Sequence, residues 1–252
     1  MRNLRGRCGS MLLVLVGSST AVMADPSREI EDIQTIMGQV SDDGIDPDNF
    51  QRLVVMGPSA TANLFAIFED TAQSFPRRWV AARAIGTIGD RRWVQALSSR
   101  LTDSDAMVRY AVTVVLGDLG GPEAFQALRN AIDDPAMVVR TAAVEALPKA
   151  GGRAAIPLLL AELDHPRNSM RGQSMWIRRR IIRELGQLHA TAAIPQLVDS
   201  LDDGLEDHRR EAVGSLEQIT GRKVSAETLD ATIQDWKSWW ALERQQPSKD
   251  GA

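Results

Sequence analysis

The chain has 252 residues, 44% hydrophobic and 25% charged, ordinary proportions for a globular protein with enough apolar material for a core. Its formal charge of −4 argues against nucleic acid or an anionic membrane surface as the main partner, and a single cysteine excludes a disulfide framework. Aromatic residues make up only 5%, so small aliphatic side chains must do most of the packing.

Residues 1–24 read as a secretory signal peptide. Arg2, Arg5 and Arg7 give a basic start, Met11 to Val16 is a short apolar run, and Val22-Met23-Ala24 is a small-residue end before Asp25. A retained anchor is the competing reading, but the run falls short of the ~20 residues that cross a bilayer. No later stretch is apolar for long enough to do so either. Cleavage after Ala24 removes three of the 29 basic side chains and none of the 33 acidic ones, leaving −7, and it takes Cys8 away. The expected product is exported, periplasmic or extracellular, with a mature form that is not membrane-embedded.

Residues 25–56 read as two capping helices. Ser27 to Val40 carries Ile30, Ile33, Ile36 and Met37 on one face, Ser41 to Asp46 is a turn, and Pro47 to Met56 is the second helix. A repeat array follows over 57–221. Its anchors are an Arg and an aliphatic residue seven positions later: Arg78/Ile85, Arg109/Leu116, Arg140/Leu147, Arg178/Leu185 and Arg209/Leu216, spaced by 31, 31, 38 and 31 residues. An Asp stands six residues before three of these Arg, at Asp103, Asp134 and Asp203, placed to cap the next helix. Val108, Ala111, Val112, Val115, Leu116 and Leu119 form the stripe of an amphipathic helix, and Gly89, Gly120 and Gly151 stand where left-handed C-caps are wanted. A second helix of the same unit is expected from about Pro122 to Ile132. Two helices of this size cannot bury their own apolar faces, so they must stack. The fold expected is all-α: an α-solenoid of about five antiparallel helix pairs with caps at both ends.

The Ala-Ile-Pro-x-Leu helix starts at Ala155 and Ala193, the Asp-before-Arg turns and the Leu116 to Gly120 ending resemble the HEAT repeat superfamily. The form is the short one of the phycobilisome-lyase-like group. The resemblance covers about Gly57 to Gly221 and implies a fold more than a function, because scaffolds, chaperones, lyases and hydroxylases share it. After Gly221, residues 222–246 carry Leu229, Ile233, Trp236 and Trp240 at helical spacing, similar to the Trp-rich ending of bacterial HEAT arrays. A hydrophobic lid and an aromatic ligand cage both fit three Trp so close, with Trp239 the freest to face solvent. Residues 247–252 read as a disordered tail.

The resemblance implies that Arg78, Arg109, Arg140, Arg178 and Arg209, with Asp103, Asp134 and Asp203, form a ladder tying each repeat to its neighbour. A row of anion receptors is the alternative. Function in such arrays usually lies on the exposed, concave face, where Trp79, Arg83, Tyr110, Arg179, Arg183 and Arg210 stand. That strip is aromatic at one end and basic at the other, a composition suited to a protein partner. Near His165 to Met175 the fourth unit carries seven extra residues. Arg167 and Arg171 there, with Arg179 and Arg183, could receive an anion or acidic partner, and an ion network among Arg180, Glu184 and Glu211 is the competing expectation. His165, His189 and His208 match no metal motif: none is followed by Glu as in the iron-binding hydroxylases of this fold, and no nucleophile elbow or phosphate loop is present. His189 replaces a C-cap Gly. The expectation is a non-catalytic protein-binding scaffold without cofactor. The alternative is a lyase-like protein handling a tetrapyrrole or other small ligand.

Overall fold

A computed structural model describes residues 26–170 and 173–245; the signal peptide expected over 1–24, Arg171 and the tail expected over 247–252 lie outside the described residues. The described helices are α1 (Pro26–Gly38), α2 (Pro47–Val55), α3 (Thr61–Glu69), α4 (Phe75–Ile88), α5 (Val94–Ser98), α6 (Ala106–Leu119) and α7 (Gly121–Leu128). They continue with α8 (Met137–Gly151), α9 (Ile156–Leu163), α10 (Trp176–Gln187), α11 (Ile194–Asp199), α12 (Glu206–Thr220) and α13 (Leu229–Glu243). They form an α-solenoid. In one layer α4, α6, α8, α10 and α12 pack in succession, and each is backed by a shorter partner, α3, α5, α7, α9 and α11 in turn. At the start α1 and α2 pack on α3 and α4; at the end α13 covers α11 and α12.

The sequence stripe explains the layers. All six residues expected on the inner face of α6 are buried, and the five anchors Ile85, Leu116, Leu147, Leu185 and Leu216 are each 0% exposed. Each such side chain contributes about 1.5–3 kcal/mol relative to leaving it in water. These anchors belong to one continuous core that runs the length of the array.

Helix ends differ from expectation in instructive ways. Asp103, Asp134 and Asp203 do not cap the helices directly. Their Oδ1 atoms accept the amides of Asp105, Ala136 and Leu205, which are the N-cap residues, and so tighten the turn one step earlier. Gly89 has the left-handed backbone expected (φ 77, ψ 22), but Gly151 does not (φ −126), because α8 runs on through Pro148 and shifts its positive φ to Gly152. His189 takes φ 48, the one non-glycine residue with positive φ among the described residues, and its Nδ1 lies 2.8 Å from the Gln218 carbonyl. The second helix expected to reach Ile132 stops at Leu128, and a 3-10 turn over Ala131–Asp133 completes it. The extra residues of the fourth unit form a short antiparallel hairpin, Ser169–Met170 with Gln173–Ser174, so the described chain is not wholly helical.

Successive helices of the main layer meet at one recurring point. A Cβ on Gly86 would stand 3.3 Å from Val115, one on Gly117 2.7 Å from Ala146, and one on Gly186 2.6 Å from Ser215. The glycine lies eight residues after the anchor Arg and its neighbour six after the next one. At the α8–α10 junction the same two phases hold Pro148 and Glu184. Three junctions thus close on a glycine and the fourth cannot.

Substituting Gly117 with Ala should therefore lower stability, although Ala favours a helix by about 1 kcal/mol. The added carbon meets the Ala146 backbone, and overpacking of this kind costs roughly 1–3 kcal/mol. Chemical denaturation of the variant against wild type checks this, with a loss of stability expected.

Candidate protein-interaction face

The five anchor Arg share one role in addition to the rungs that the ladder suggests. Each donates to main-chain carbonyls of the segment that precedes its own helix. Arg109 Nη1 reaches Asp103 O at 2.8 Å, Arg140 Nη1 reaches Asp134 O at 2.9 Å, and Arg209 Nη1 reaches Asp203 O at 3.2 Å. Arg78 Nε reaches Phe68 O at 2.8 Å, and Arg178 Nη1 reaches across the insertion to Leu163 O at 2.6 Å. A close side-chain rung between repeats stands at Arg109, whose Nε and Nη2 clasp Asp134 at 2.7 and 2.8 Å. Arg178 and Asp203 are 3.8 Å apart, a looser contact. The expected ladder is thus present in part, with a tight rung at Arg109–Asp134 and a looser one at Arg178–Asp203, while all five Arg also clasp the turn before their own helix.

Arg140 shows what happens where no carboxylate follows. It is buried, its Nε finds no acceptor, and burial together with neighbouring Arg167 pulls its pKa down. Arg167 takes over the link between units: Nη2 meets Glu162 at 2.5 Å and Asp133 at 2.6 Å. Glu162, 3% exposed, also accepts from Asn168 Nδ2 at 2.9 Å. The hydrogen bonds to Glu162, against burial, raise the Arg167 pKa further. A guanidinium held this way clamps the insertion to the third unit, which removes Arg167 from the expected anion receptor.

The expected ion network exists, with Arg180 and Glu211 in it but paired differently and Glu145 in place of Glu184. Arg179 Nε and Arg183 Nη2 meet Glu211 at 2.9 and 2.7 Å, and Arg180 pairs with Glu145. Arg183, against burial, and Arg179 hold the Glu211 carboxyl below its usual range. Glu184 is half-buried in the α8–α10 gap, and burial, then Glu145, push its pKa up. Arg210 pairs with Glu206 at 2.5 Å. The strip's far end is therefore ion-paired rather than simply basic, and Arg179, Arg183 and Arg210 all face acids.

At the other end the aromatic residues meet as a stack. Arg83 lies 5.0 Å from the Phe50 ring centroid and 5.9 Å from that of Trp79, and Trp79 meets Tyr110 at 5.4 Å. Phe50, on α2, had no place in the expected strip: its neighbours along the chain give no repeat register that would put it beside α4. Phe50, Trp79 and Tyr110 are half-buried and Arg83 is exposed, so this stack joins α2, α4 and α6 and still meets solvent. At the array's end Trp236 is fully buried, with Trp239 edge-on to it at 5.3 Å, as a lid requires. Trp239 and Trp240 are both half-buried, so neither is freer than the other.

Among the described residues no group of three or more His, Cys, Asp or Glu could hold a metal ion, and no helix is long and apolar enough to cross a membrane. A model of HEAT repeats matches residues 61–148 and 116–175, and one of the PBS lyase HEAT-like repeat matches 177–203. The chain is a HEAT-like repeat protein. The stretches matched by the two models meet at residues 175–177, just after the paired strands of the insertion and at the start of α10. A search of curated proteins returns no match. Similar solved structures include the complex of CpcE and CpcF of phycocyanin lyase from Nostoc sp. PCC7120, 25% identical, covering 92% of each chain, with a TM-score of 0.48. Human deoxyhypusine hydroxylase is 16% identical over 78% of this chain and 98% of that one, TM-score 0.38. An engineered protein is 19% identical over 79% and 93%, TM-score 0.46.

Two titrations should separate the ion pairs. Burial raises the Asp134 pKa, but the Arg109 hydrogen bonds, the Ala136 amide and the charges of Arg109 and Arg140 outweigh it and leave it below the ordinary value. A depressed carboxylate stabilises above its unfolded pKa of about 3.9 and loses that contribution as pH falls through the folded value. Asp134→Asn should cost roughly 1.5–3 kcal/mol at neutral pH, the scale for hydrogen bonds to a charged group. The difference should shrink in acid, as read from melting temperature against pH. Glu184 has the opposite sign: its raised pKa makes ionisation a cost that appears as pH rises above about 4.3. Glu184→Gln should melt above wild type at pH 7 and converge with it in acid.

Proposed function

We propose that this HEAT-repeat protein is an exported, non-catalytic scaffold, periplasmic or extracellular, that binds a protein partner on the outer face of the α4–α12 layer. The stack of Phe50, Arg83, Trp79 and Tyr110 carries the reading, since aromatic and Arg side chains that are half-buried but solvent-facing are the usual anchors of protein interfaces. The basic, apolar and small-residue order of residues 1–24 supports export. Arg179, Arg183 and Arg210, each already ion-paired, would contribute orientation at the rim more than affinity.

A second reading has two observations in its favour. The match of residues 177–203 to the PBS lyase HEAT-like repeat suits a cofactor-handling protein, and a cleft of about 720 Å³ lined by Arg91, Arg92, Val94 and Gln95 has room for a small ligand.

The full chain, tagged at its C-terminus and expressed with its own leader, tests both. The tag should be recovered from the extracytoplasmic fraction, without a visible absorbance band, and a partner captured by wild type should bind the Trp79→Ala/Tyr110→Ala variant roughly tenfold or more weakly. Unchanged affinity would remove the aromatic face, and a copurifying chromophore would replace the scaffold by the second reading.

A further inference from the structure

At two junctions of the main layer, the residue five after one anchor Arg pairs with the residue two after the next anchor. Across α10–α12 these are Arg183 and Glu211, with Nη2 at 2.7 Å from the carboxylate. Across α8–α10 they are Glu145 and Arg180, the same contact with the charges exchanged. At α6–α8 the two phases hold Val114 and Ala142, an apolar pair. At α4–α6 they hold Arg83 and Ala111. Arg83 therefore stands at the position of Arg183 with no acid opposite it.

Among the described residues, every other arginine on α4, α6, α8, α10 and α12 meets an oxygen, whether a carbonyl, a side-chain amide or a carboxylate. Arg83 meets none. What holds it instead is the pair of rings of Phe50 and Trp79, 5.0 and 5.9 Å from its guanidinium carbon. A ring face attracts the cation but offers its N–H groups no oxygen, so the fork is placed while its donors stay free. It is also the exposed member of a group whose aromatic members, Phe50, Trp79 and Tyr110, are half-buried.

Arg83 lies over two of the rings, so a partner that covers them also takes water from its guanidinium. A partner without an acid there would leave a desolvated charge unmatched, which opposes binding. A nucleic acid would bring phosphates, but 33 acidic side chains against 29 basic ones oppose a polyanion laid along the array. We infer that the partner protein presents to this face an Asp or Glu flanked by apolar residues, which Arg83 receives as Arg183 receives Glu211. The inference rests on the scaffold reading and names the chemistry of the partner at that same face.

Titration calorimetry of the purified full chain with the blocked peptide acetyl-Ser-Phe-Glu-Leu-Ser-amide, against the same peptide with Gln for Glu, tests it. Wild type should bind the Glu peptide about three- to tenfold more tightly, by a margin that shrinks as salt rises. Arg83→Gln should erase the margin and keep the affinity for the Gln peptide, whereas Arg83→Lys, which retains the charge, should keep part of it. Should Arg83→Gln lower the melting temperature, the wild-type margin and its salt dependence decide alone. Equal affinity of wild type for the two peptides, binding of neither, or a margin that survives in folded Arg83→Gln overturns the inference. So does a dimer of the full chain that Arg83→Gln dissociates, since the face would then belong to a second copy. The two readings fail separately. Equal binding of both peptides, lost in Trp79→Ala/Tyr110→Ala, removes only the carboxylate, and a margin that this double variant leaves intact removes only the aromatic anchors.

Discussion

A pair of short helices with one oily flank has nowhere to put it except against the next pair. Everything else in this molecule follows from how closely that next pair can come. Gly86, Gly117 and Gly186 let the helices approach until an added carbon would crowd the facing helix at Gly86 and collide with it at Gly117 and Gly186, within 2.8 Å of the Ala146 main chain at Gly117. That approach places the anchors Ile85, Leu116, Leu147, Leu185 and Leu216 beyond the reach of water. Outward positions are then fixed by default, because a helix with its inner face locked has no freedom to rotate.

The anchor arginines serve the same end from the other side. A guanidinium offers several donors in a planar fork, and here the fork is spent on carbonyls that the preceding turn would otherwise leave unpaired. Where a carboxylate is also in reach, as at Asp134, the clasp becomes a link to the neighbouring unit. Where it is not, as at Arg140, a second arginine from an insertion supplies the link through Glu162 and Asp133. The insertion is thus a repair of the stack as well as a departure from it.

Much of this was legible from residue order, and the rest was hidden for identifiable reasons. Periodicity gave the solenoid, the inner face of α6 and the buried lid at Trp236, since each depends on spacing along one helix. The partners of Arg179, Arg180 and Arg183 depend on which acid lies across a junction: spacing alone offered Glu184 and Glu211 to Arg180, whereas Arg180 pairs with Glu145 and Glu211 takes Arg179 and Arg183. Phe50 was missed because it belongs to α2, outside the repeat register, yet stacks on Arg83. The hairpin at Ser169–Ser174 follows from no repeat pattern. Glycine phases could have been read in advance: Gly86, Gly117 and Gly186 recur at one offset from the anchors, and Pro148 interrupts them.

Pro148 and Glu184 bear on the mechanics of the array. Springs joined in series stretch most at the softest member. Three junctions here close on a glycine, and the fourth has Pro148 and the half-buried Glu184 at those phases, with the Arg180–Glu145 pair across it. Strain applied at both ends, for instance by a molecule gripping them together, would be absorbed at α8–α10. On either side of that junction the main-layer helices close on Gly86, Gly117 and Gly186.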